Sequence, residues 1–239
     1  MAARKNVLIM GAAGQLGRRA CEKFMEGNHW YTMGADVICP NAAGLTFCQM
    51  PSQGPEKSQQ GQHLVKFLRD QLGDNGRLDA VVNLAGGFAM GSAEDPALLA
   101  TTIAMVESSL YSSIVASYVS SQMLKKEGLL ILPGAAAAWS PTAWSLPYGT
   151  AKVAVHHLVR SLAESQSAKT IGLAPQILDT VQNREAMPDA DVSSWASLEE
   201  VAEQIEAWCA DPEVVLNGHV YLIDKKPGLK ATFEARKPL

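Results

Sequence analysis

The sequence predicts an α/β domain with a doubly wound, mostly parallel β-sheet of about seven strands and helices on both faces. Short apolar runs alternate along the chain with stretches whose apolar residues have helical spacing. The first apolar run leads directly into a glycine-rich turn. Neither an internal repeat nor a linker rich in Pro, Gly or Ser divides the 239 residues. We therefore expect one domain spanning residues 1–239.

The strands are predicted from short, continuous apolar runs bounded by turn residues, a pattern typical of strands that are buried on both faces. In chain order they are Lys5–Met10, Trp30–Ala35, Gly44–Cys48, Ala80–Leu84, Leu129–Leu132, Ile171–Ala174 and His219–Ile223. Because strands alternate with helices, right-handed crossovers should bring them into one parallel sheet.

The helices are predicted from apolar residues that recur every three or four positions, as Leu64, Leu68 and Leu72 do. In chain order they are Gln15–Glu26, Gly61–Leu72, Pro96–Leu124, Tyr148–Glu164 and Leu198–Trp208. Three further stretches are loop-like: Pro51–Gly61, Ala138–Pro147 and Thr180–Ser197. The last two follow strands, so they should lie at the carboxyl edge of the sheet, where open α/β sheets bind ligands.

The composition argues against several classes of function. A net charge of −4 disfavours a general nucleic-acid-binding protein, because a phosphate backbone requires a concentrated positive surface. No window approaches the roughly 20 uninterrupted apolar residues of a membrane-spanning helix, so no membrane association is expected. The apolar run between Lys5 and Gly11 is only Val7–Met10, which is too short for the apolar core of a secretory signal.

The cysteines predict neither a metal site nor a disulfide framework. They are scattered, with no CxxC pair and no zinc-ligand spacing to histidine, at Cys21, Cys39, Cys48 and Cys209. This pattern is typical of reduced thiols in a cytoplasmic protein.

The turn Gly11-Ala12-Ala13-Gly14-Gln15-Leu16-Gly17 indicates a dinucleotide site. It follows a strand and opens a helix, and glycines allow its backbone to approach a pyrophosphate closely. The start of the helix then presents free N–H groups and its positive dipole end to the phosphates. The alternative is an ordinary glycine-rich turn between a strand and a helix, without a ligand.

Asp36 and Val37, at the end of the second strand, are predicted to contact the adenosine of this cofactor. An acid about 20 residues after the glycine turn can accept hydrogen bonds from the ribose hydroxyls. A carboxylate there also repels a 2′-phosphate, and basic residues come only later, at Arg18 and Arg19 on the helix. This favours NADH, with NADPH as the weaker cofactor. The alternative is a solvated aspartate at a strand end.

Tyr148 and Lys152 are the predicted catalytic pair. Their spacing of four residues places both side chains on one face of a helix. A free tyrosine has a pKa of about 10, and a nearby ammonium group is expected to lower it. The tyrosine could then exchange a proton with a substrate while a hydride is transferred. The alternative is one core tyrosine and one surface lysine.

Together these motifs resemble those of the short-chain dehydrogenase/reductase family, whose members have a Rossmann-type fold. The resemblance spans nearly the whole chain and includes Asn83-Leu84-Ala85-Gly86-Gly87 after the fourth strand. It also includes Pro175 and Thr180 after the sixth strand. The resemblance implies that Asn83, Ala85, Gly86 and Gly87 lie beside the cofactor, that Pro175 and Thr180 wrap its nicotinamide, and that Lys152 also holds the nicotinamide ribose.

Two departures from the family pattern are informative. Ala135 stands where most members have a serine that holds the substrate carbonyl, and Ser140 and Ser145 would need an unusual loop path to replace it. Ser108-Ser109-Leu110 stands where many members have an asparagine. The chain is therefore either an inactive member or an enzyme whose substrate needs little carbonyl polarisation.

The dihydropteridine reductases, a group within this family, fit the second case, and several segments resemble theirs. The resembling segments are Ala85–Gly91, Lys125–Leu130, Pro147–His156, Leu178–Arg184, Met187–Asp191 and Ser193–Trp195. Phe88 stands where that group has tryptophan, and the Pro40–Gln60 region matches poorly. The resemblance implies that a flat pterin contacts a set of residues around the tyrosine: Phe88, Ala135, Trp144, Tyr148 and Met187.

The expected function is NADH-dependent reduction of quinonoid dihydropteridine (dihydrobiopterin) to tetrahydropteridine (tetrahydrobiopterin), with Tyr148 as proton donor. The resemblance also implies pterin recycling in the cytoplasm and a homodimer formed through the Pro96–Leu124 and Tyr148–Glu164 helices. One alternative is a short-chain reductase that acts on a different quinonoid or carbonyl compound. Another is a non-catalytic NAD(H)-sensing interaction protein, although such a sensor has no chemical need for both Tyr148 and Lys152.

For several residues the sequence leaves the role open. Trp139 and Trp144 are expected to be either pocket walls or aromatics of the core or the dimer interface. Asn183 and Arg184 either contact a ligand or stabilise their loop. His156 and its neighbour His157 are expected on the helix surface or at an interface.

Overall fold

One eight-stranded sheet organises the protein. The computed structural model describes residues 4–40, 42–52, 55–165 and 167–238. The strands are β1 (Lys5–Met10), β2 (Trp30–Asp36), β3 (Thr46–Gln49), β4 (Leu78–Asn83), β5 (Leu124–Pro133), β6 (Lys169–Pro175), β7 (Val220–Asp224) and β8 (Thr232–Arg236). Their order across the sheet is β3-β2-β1-β4-β5-β6-β7-β8. Strands β1 to β7 pair in parallel, and β8 pairs with β7 in the antiparallel direction. The doubly wound parallel sheet is therefore confirmed.

The helices lie between the strands. They are α1 (Gln15–Met25), α2 (Gln60–Leu72), α3 (Leu98–Met105), α4 (Ser112–Met123), α5 (Leu146–Ser165), α6 (Val181–Ala186) and α7 (Leu198–Ala210). A π-helical turn, Val106–Tyr111, joins α3 to α4 without a break.

The hydrophobic core has two halves, one on each face of the sheet. In β1, Val7 and Ile9 point into the half that also contains residues of α1 and α7. Leu8 and Met10 point into the other half, with residues of α2, α4 and α5. Because both faces are covered, the central strands need apolar side chains at consecutive positions, which is why they were recognisable as continuous runs.

Three elements differ from the sequence-based expectation. The strand β8 was not predicted, because its sequence alternates apolar with polar and charged residues, and only Phe233 and Ala235 pack against the core. The short helix α6 lies inside the stretch expected to be a loop, Thr180–Ser197. Strand β5 begins at Leu124, ahead of three exposed charged residues that carry no strand signal. In the expected loop Pro51–Gly61, Gln53 and Gly54 lie outside the described residues.

The long helical stretch Leu98–Met123 has, within the described part of the chain, the length and apolar composition of a membrane span. Glu107 and several serines interrupt its apolar residues. Its inner side chains, including Val115 and Val119, pack in the second half of the core. Only 22% of its most apolar window is buried, which leaves an exposed apolar surface.

Candidate active site

The glycine turn has the geometry of a tight cradle. Gly11 has a positive φ of 77°, and a Cβ there would lie 2.4 Å from the backbone nitrogen of Ala85. A Cβ on Gly17 would lie 1.9 Å from the carbonyl oxygen of Gly11. Gly14 is exposed and precedes α1 without a side-chain capping hydrogen bond. The turn therefore requires glycine for close packing and presents bare backbone at the start of a helix, as a pyrophosphate site does.

Asp36 ends β2 beside this turn. Its Oδ2 accepts a hydrogen bond from the backbone N–H of Ala13 at 2.9 Å, and its Oδ1 accepts one from Ile38 at 3.3 Å. The carboxylate thus fixes the turn relative to the strand end, with Val37 exposed next to it. Each carboxylate oxygen has two lone-pair sites, so acceptor capacity for ribose hydroxyls remains.

A cavity of about 420 Å³ connects the glycine turn with Asp36, with Leu84–Gly86 and with the α3–α4 helix. That volume lies in the range of small-molecule sites. Its charged lining consists of Asp36, Glu107 and Lys57. The Lys57 ammonium is paired with the Glu107 carboxylate at 2.6 Å. The described lining of the cavity therefore carries a net negative charge. The Lys57–Glu107 ion pair was not predicted from the sequence.

Asn83 connects the end of β4 to the start of α4. Its side chain is fully buried, and its Nδ2 donates to the hydroxyls of Ser112 and Ser113 at 3.2 and 3.3 Å. Its Oδ1 accepts from the backbone N–H of Ala85 at 3.0 Å. These contacts hold the segment that includes Gly86 and Gly87 against the cavity.

Tyr148 and Lys152 lie on one face of α5, which begins two residues before the tyrosine. The Lys152 ammonium lies 5.7 Å from the centre of the Tyr148 ring and donates to the carbonyl oxygen of Pro133 at 2.8 Å. A Cβ on Gly86 would lie 3.2 Å from this ammonium, so glycine leaves it space. The two predicted catalytic side chains are thus brought together, with the ammonium next to Gly86, which lines the cavity.

The protonation of this pair differs from the expectation. Burial raises the pKa of Tyr148 to about 12 and lowers the pKa of Lys152 to about 8. The expected lowering of the tyrosine pKa by Lys152 is therefore wrong for this structure, because burial disfavours the charged form of the phenol and raises its pKa. Tyr148 keeps its proton at neutral pH, which suits a proton donor.

Two aromatic side chains lie near the Tyr148 ring. The Phe88 ring packs edge-to-face on Tyr148 with 5.0 Å between ring centres, and Trp144 lies 6.1 Å from Phe88. Both Phe88 and Trp144 are about half exposed. Edge-to-face and tilted arrangements leave ring faces open to a flat ligand. Trp144 thus lies beside Phe88, whereas Trp139 packs on His156 and donates to the carbonyl of Lys237.

Ser145 does not take over the position of Ala135. Ala135 is buried at the end of β5, where the family serine is expected. Ser145 is fully buried, and its hydroxyl donates to the carbonyl of Ala89 at 2.7 Å. Two backbone hydrogen bonds of Gly91, to Trp144 and from Leu146, strengthen the same connection. Ser145 therefore ties the Phe88 loop to the start of α5.

The π-helical turn between α3 and α4 carries a buried serine to which the sequence analysis gave no role. Ser109 lies in the π-helical turn and is fully buried, and its hydroxyl has no partner among the described residues. A Cβ on Gly86 would lie 3.6 Å from this hydroxyl and 3.2 Å from the Lys152 ammonium. π-helical turns occur frequently at functional sites. The sequence signal was that Ser108-Ser109-Leu110 stands where many members of the family have an asparagine.

The segment after β6 contacts the first residue of α1, next to the glycine turn. Pro175 ends β6, and Thr180 caps α6 by accepting a hydrogen bond from the backbone N–H of Asn183 at 3.1 Å. The backbone N–H of Val181 donates to the Gln15 side chain at 3.0 Å, which joins this segment to α1.

Other side chains of this segment stabilise it internally. Arg184 makes two hydrogen bonds to Asp179, at 2.6 and 2.8 Å, and Asn183 donates to the carbonyl of Leu178. Of the two alternatives for Asn183 and Arg184, the geometry favours loop stabilisation. Met187 is exposed at the end of α6.

Comparison with known proteins agrees with this architecture. Residues 5–191 match the family model of the short chain dehydrogenases. The dihydropteridine reductase of Dictyostelium discoideum is 29% identical over 215 residues, which cover 87% of this chain and 89% of that protein.

Two solved structures share the fold. A short chain dehydrogenase family protein from Francisella tularensis has a TM-score of 0.77 at 16% identity, covering 92% of this chain and 97% of that one. The aldohexose dehydrogenase of Thermoplasma acidophilum has a TM-score of 0.78 at 18% identity, covering 92% of each chain. With the glycine turn, the buried asparagine and the Tyr148–Lys152 pair in place, the chain belongs to the short-chain dehydrogenase/reductase family.

Proposed function

We propose that this oxidoreductase is an NADH-dependent reductase that converts quinonoid dihydropteridine (dihydrobiopterin) into tetrahydropteridine (tetrahydrobiopterin), and so recycles a pterin. The carrying observation is the combination of the Phe88 ring packed on Tyr148 with an alanine at position 135. A quinonoid dihydropterin is already strongly electrophilic, so it needs a proton donor and a flat platform more than a hydroxyl that polarises a carbonyl. The dihydropteridine reductase of Dictyostelium discoideum, 29% identical, supports this substrate class.

Each residue of the site has a definable part in this reaction. The nicotinamide supplies the hydride when the cofactor is bound. Tyr148, whose burial keeps it protonated, donates the proton that the reduced pterin ring requires. Lys152, held by the carbonyl of Pro133, directs its remaining N–H groups toward the site and binds ribose. Phe88 and Trp144 provide aromatic surface for the pterin.

NADH is the proposed cofactor, with NADPH as the weaker one. Among the described residues that line the cavity, Asp36 and Glu107 are carboxylates, and the one lysine, Lys57, is already paired. An additional 2′-phosphate would therefore meet uncompensated negative charge.

We further propose a homodimer in the cytoplasm. Exposed apolar side chains on α3, α4 and α5, among them Leu99, Ile103 and Ile114, support an interface formed by these helices. All four cysteines are free thiols, which supports a reducing compartment.

The substrate assignment is tested by following NADH oxidation by the purified protein with freshly generated quinonoid dihydrobiopterin, and in parallel with simple ketones and diketones. We expect turnover with the quinonoid pterin and little with the ketones. Turnover of carbonyl compounds alone would instead identify another short-chain reductase. NADH binding without turnover of any of these compounds would favour the non-catalytic sensor.

A further inference from the structure

His156 is a buried histidine on the catalytic helix that the proposed reaction does not use. It follows Lys152 by four residues and Tyr148 by eight, so the three side chains lie along one face of α5. Its exposed fraction is 0%, which contradicts the expectation of a surface or interface position. The neighbouring His157, by contrast, is exposed.

The imidazole of His156 packs against the loop that begins with Gly134. Its Nε2 accepts a hydrogen bond from the backbone N–H of Ala135 at 3.3 Å. A Cβ on Gly134 would lie 2.5 Å from the same Nε2, so the ring fills the space of the missing side chain. The Trp139 ring covers the imidazole edge-to-face, with 4.8 Å between ring centres.

This contact requires a neutral imidazole with a defined tautomer. Because Nε2 is an acceptor, the ring proton must be on Nδ1, and Nδ1 has no partner among the described residues. Burial and the charge of Lys152 lower the pKa of His156 to about 4, so the ring is neutral at physiological pH.

Two successive turns of α5 therefore each form a hydrogen bond to the backbone at the end of β5. Lys152 donates to the carbonyl oxygen of Pro133, and His156 accepts from the N–H of Ala135. The two contacts bracket Gly134 and have opposite polarity, so they fix both the position and the orientation of that backbone relative to Tyr148.

We propose that His156 is a positioning residue, which holds the backbone at Ala135 in register with Tyr148 where the family would use a serine hydroxyl to organise the substrate. This role rests on the proposed function, because the substrate that the loop contacts is the pterin. His156 itself does not touch substrate or cofactor in this role. It acts instead through the backbone N–H of Ala135, from which it accepts a hydrogen bond.

The test compares three variants. His156→Leu removes the acceptor, His156→Gln offers an amide oxygen near the position of Nε2, and His157→Leu is the matched control one residue away. We expect His156→Leu to raise KM for quinonoid dihydrobiopterin about tenfold, the loss associated with about one hydrogen bond, while the Kd for NADH is unchanged. His156→Gln should restore most of the affinity, and His157→Leu should behave as wild type.

A second readout does not depend on activity. In hydrogen exchange, the Ala135 amide should be protected in the wild type and in His156→Gln, and it should exchange faster in His156→Leu. Nitrogen NMR of the wild-type ring should show a protonated Nδ1 and an unprotonated Nε2.

The outcomes separate the two proposals. An unchanged KM together with unchanged Ala135 exchange in His156→Leu would overturn the positioning role, as would a protonated Nε2 at neutral pH. If His156→Leu does not fold, the ring NMR and the His156→Gln variant still decide. A wild-type protein that does not reduce the pterin but shows the expected exchange and tautomer would refute the proposed substrate and keep the anchoring of Ala135.

Discussion

Lys152 combines two requirements that oppose each other. For its proposed role as a strong donor to ribose hydroxyls it must be charged, yet it is almost completely buried, and burial disfavours the charged form. Only one protein acceptor, the carbonyl of Pro133, is recorded for its ammonium in the described structure. Its pKa consequently falls to about 8, close to physiological pH.

A pH dependence of cofactor binding follows from this pKa. Below about 8 the lysine is charged, and as the pH rises through that value it loses its proton and its strongest donors. We therefore expect the affinity for NADH, measured by fluorescence titration, to decrease as the pH rises from neutral to well above the lysine pKa. Lys152→Met should bind NADH more weakly and without this dependence. An affinity of the wild type that stays constant over the range would contradict the account.

At this scale, the sequence reveals residues that belong to linear motifs and misses those brought together by packing. The spacing of Tyr148 and Lys152 was sufficient to place them on one helix face. Ser109 and the buried His156 gave no comparable signal, because their positions depend on the contact of distant segments. The pKa of Tyr148 was predicted in the wrong direction for the same reason, since a motif reveals a neighbour but not the extent of burial.

Among the elements, helix α7 is held at its start by side-chain hydrogen bonds. Ser197 and Glu200 form a reciprocal capping box at its start. Glu200 also accepts hydrogen bonds from Lys225 at 2.8 Å and from the backbone of Ala231 at 3.1 Å. Burial opposes its ionisation, but these donors outweigh that effect and lower its pKa to about 2. The carboxylate therefore stays charged at neutral pH and links α7 to the segment before β8.

Removal of the cap should measurably weaken this element. Ser197→Ala deletes the acceptor for the backbone N–H of Glu200 and should lower the free energy of unfolding by about 1 kcal/mol. Chemical denaturation monitored by circular dichroism gives this value, with the exposed Ser140→Ala as the control. Equal stability of Ser197→Ala and the wild type would show that the cap contributes nothing.

Among the elements, strands β1, β2 and β4 to β7 could be recognised as continuous apolar runs because both faces of the sheet are covered. Strand β8 could not, because it lies at the edge and exposes alternate residues. Helix α6 is too short, at 6 residues, to show a helical period. The contact of Gln15 with Val181 becomes visible only when β1 and β6 lie in one sheet.

For the molecule as a whole, the exposed apolar surface of the α3–α4 helix supports the proposed homodimer. Leu99 and Ile103, four residues apart on α3, are 78% and 61% exposed. Ile114 and Tyr118 repeat that spacing on α4, and Val153 is exposed on α5. Contiguous apolar surface of this kind marks interaction sites in soluble proteins.

If a second copy covers this surface, a charge introduced there should separate the subunits. We expect the wild type to sediment as a dimer and Ile114→Glu as a monomer at the same concentration, because a buried unpaired carboxylate is costly. Leu216→Glu changes an equally exposed side chain after α7 and serves as the control. A wild type that sediments as a monomer would contradict the proposed interface.

The residues of the site act together in the proposed reaction, in which Tyr148 supplies the proton for reduction of a quinonoid pterin by NADH. It is tested most directly by NADH oxidation with quinonoid dihydrobiopterin, comparing the wild type with Tyr148→Phe. For Tyr148→Phe we expect a Kd for NADH within about twofold of the wild-type value and a turnover lower by roughly 10²–10⁴-fold, the usual contribution of a positioned proton donor. Full turnover by Tyr148→Phe, with NADH still bound normally, would contradict it.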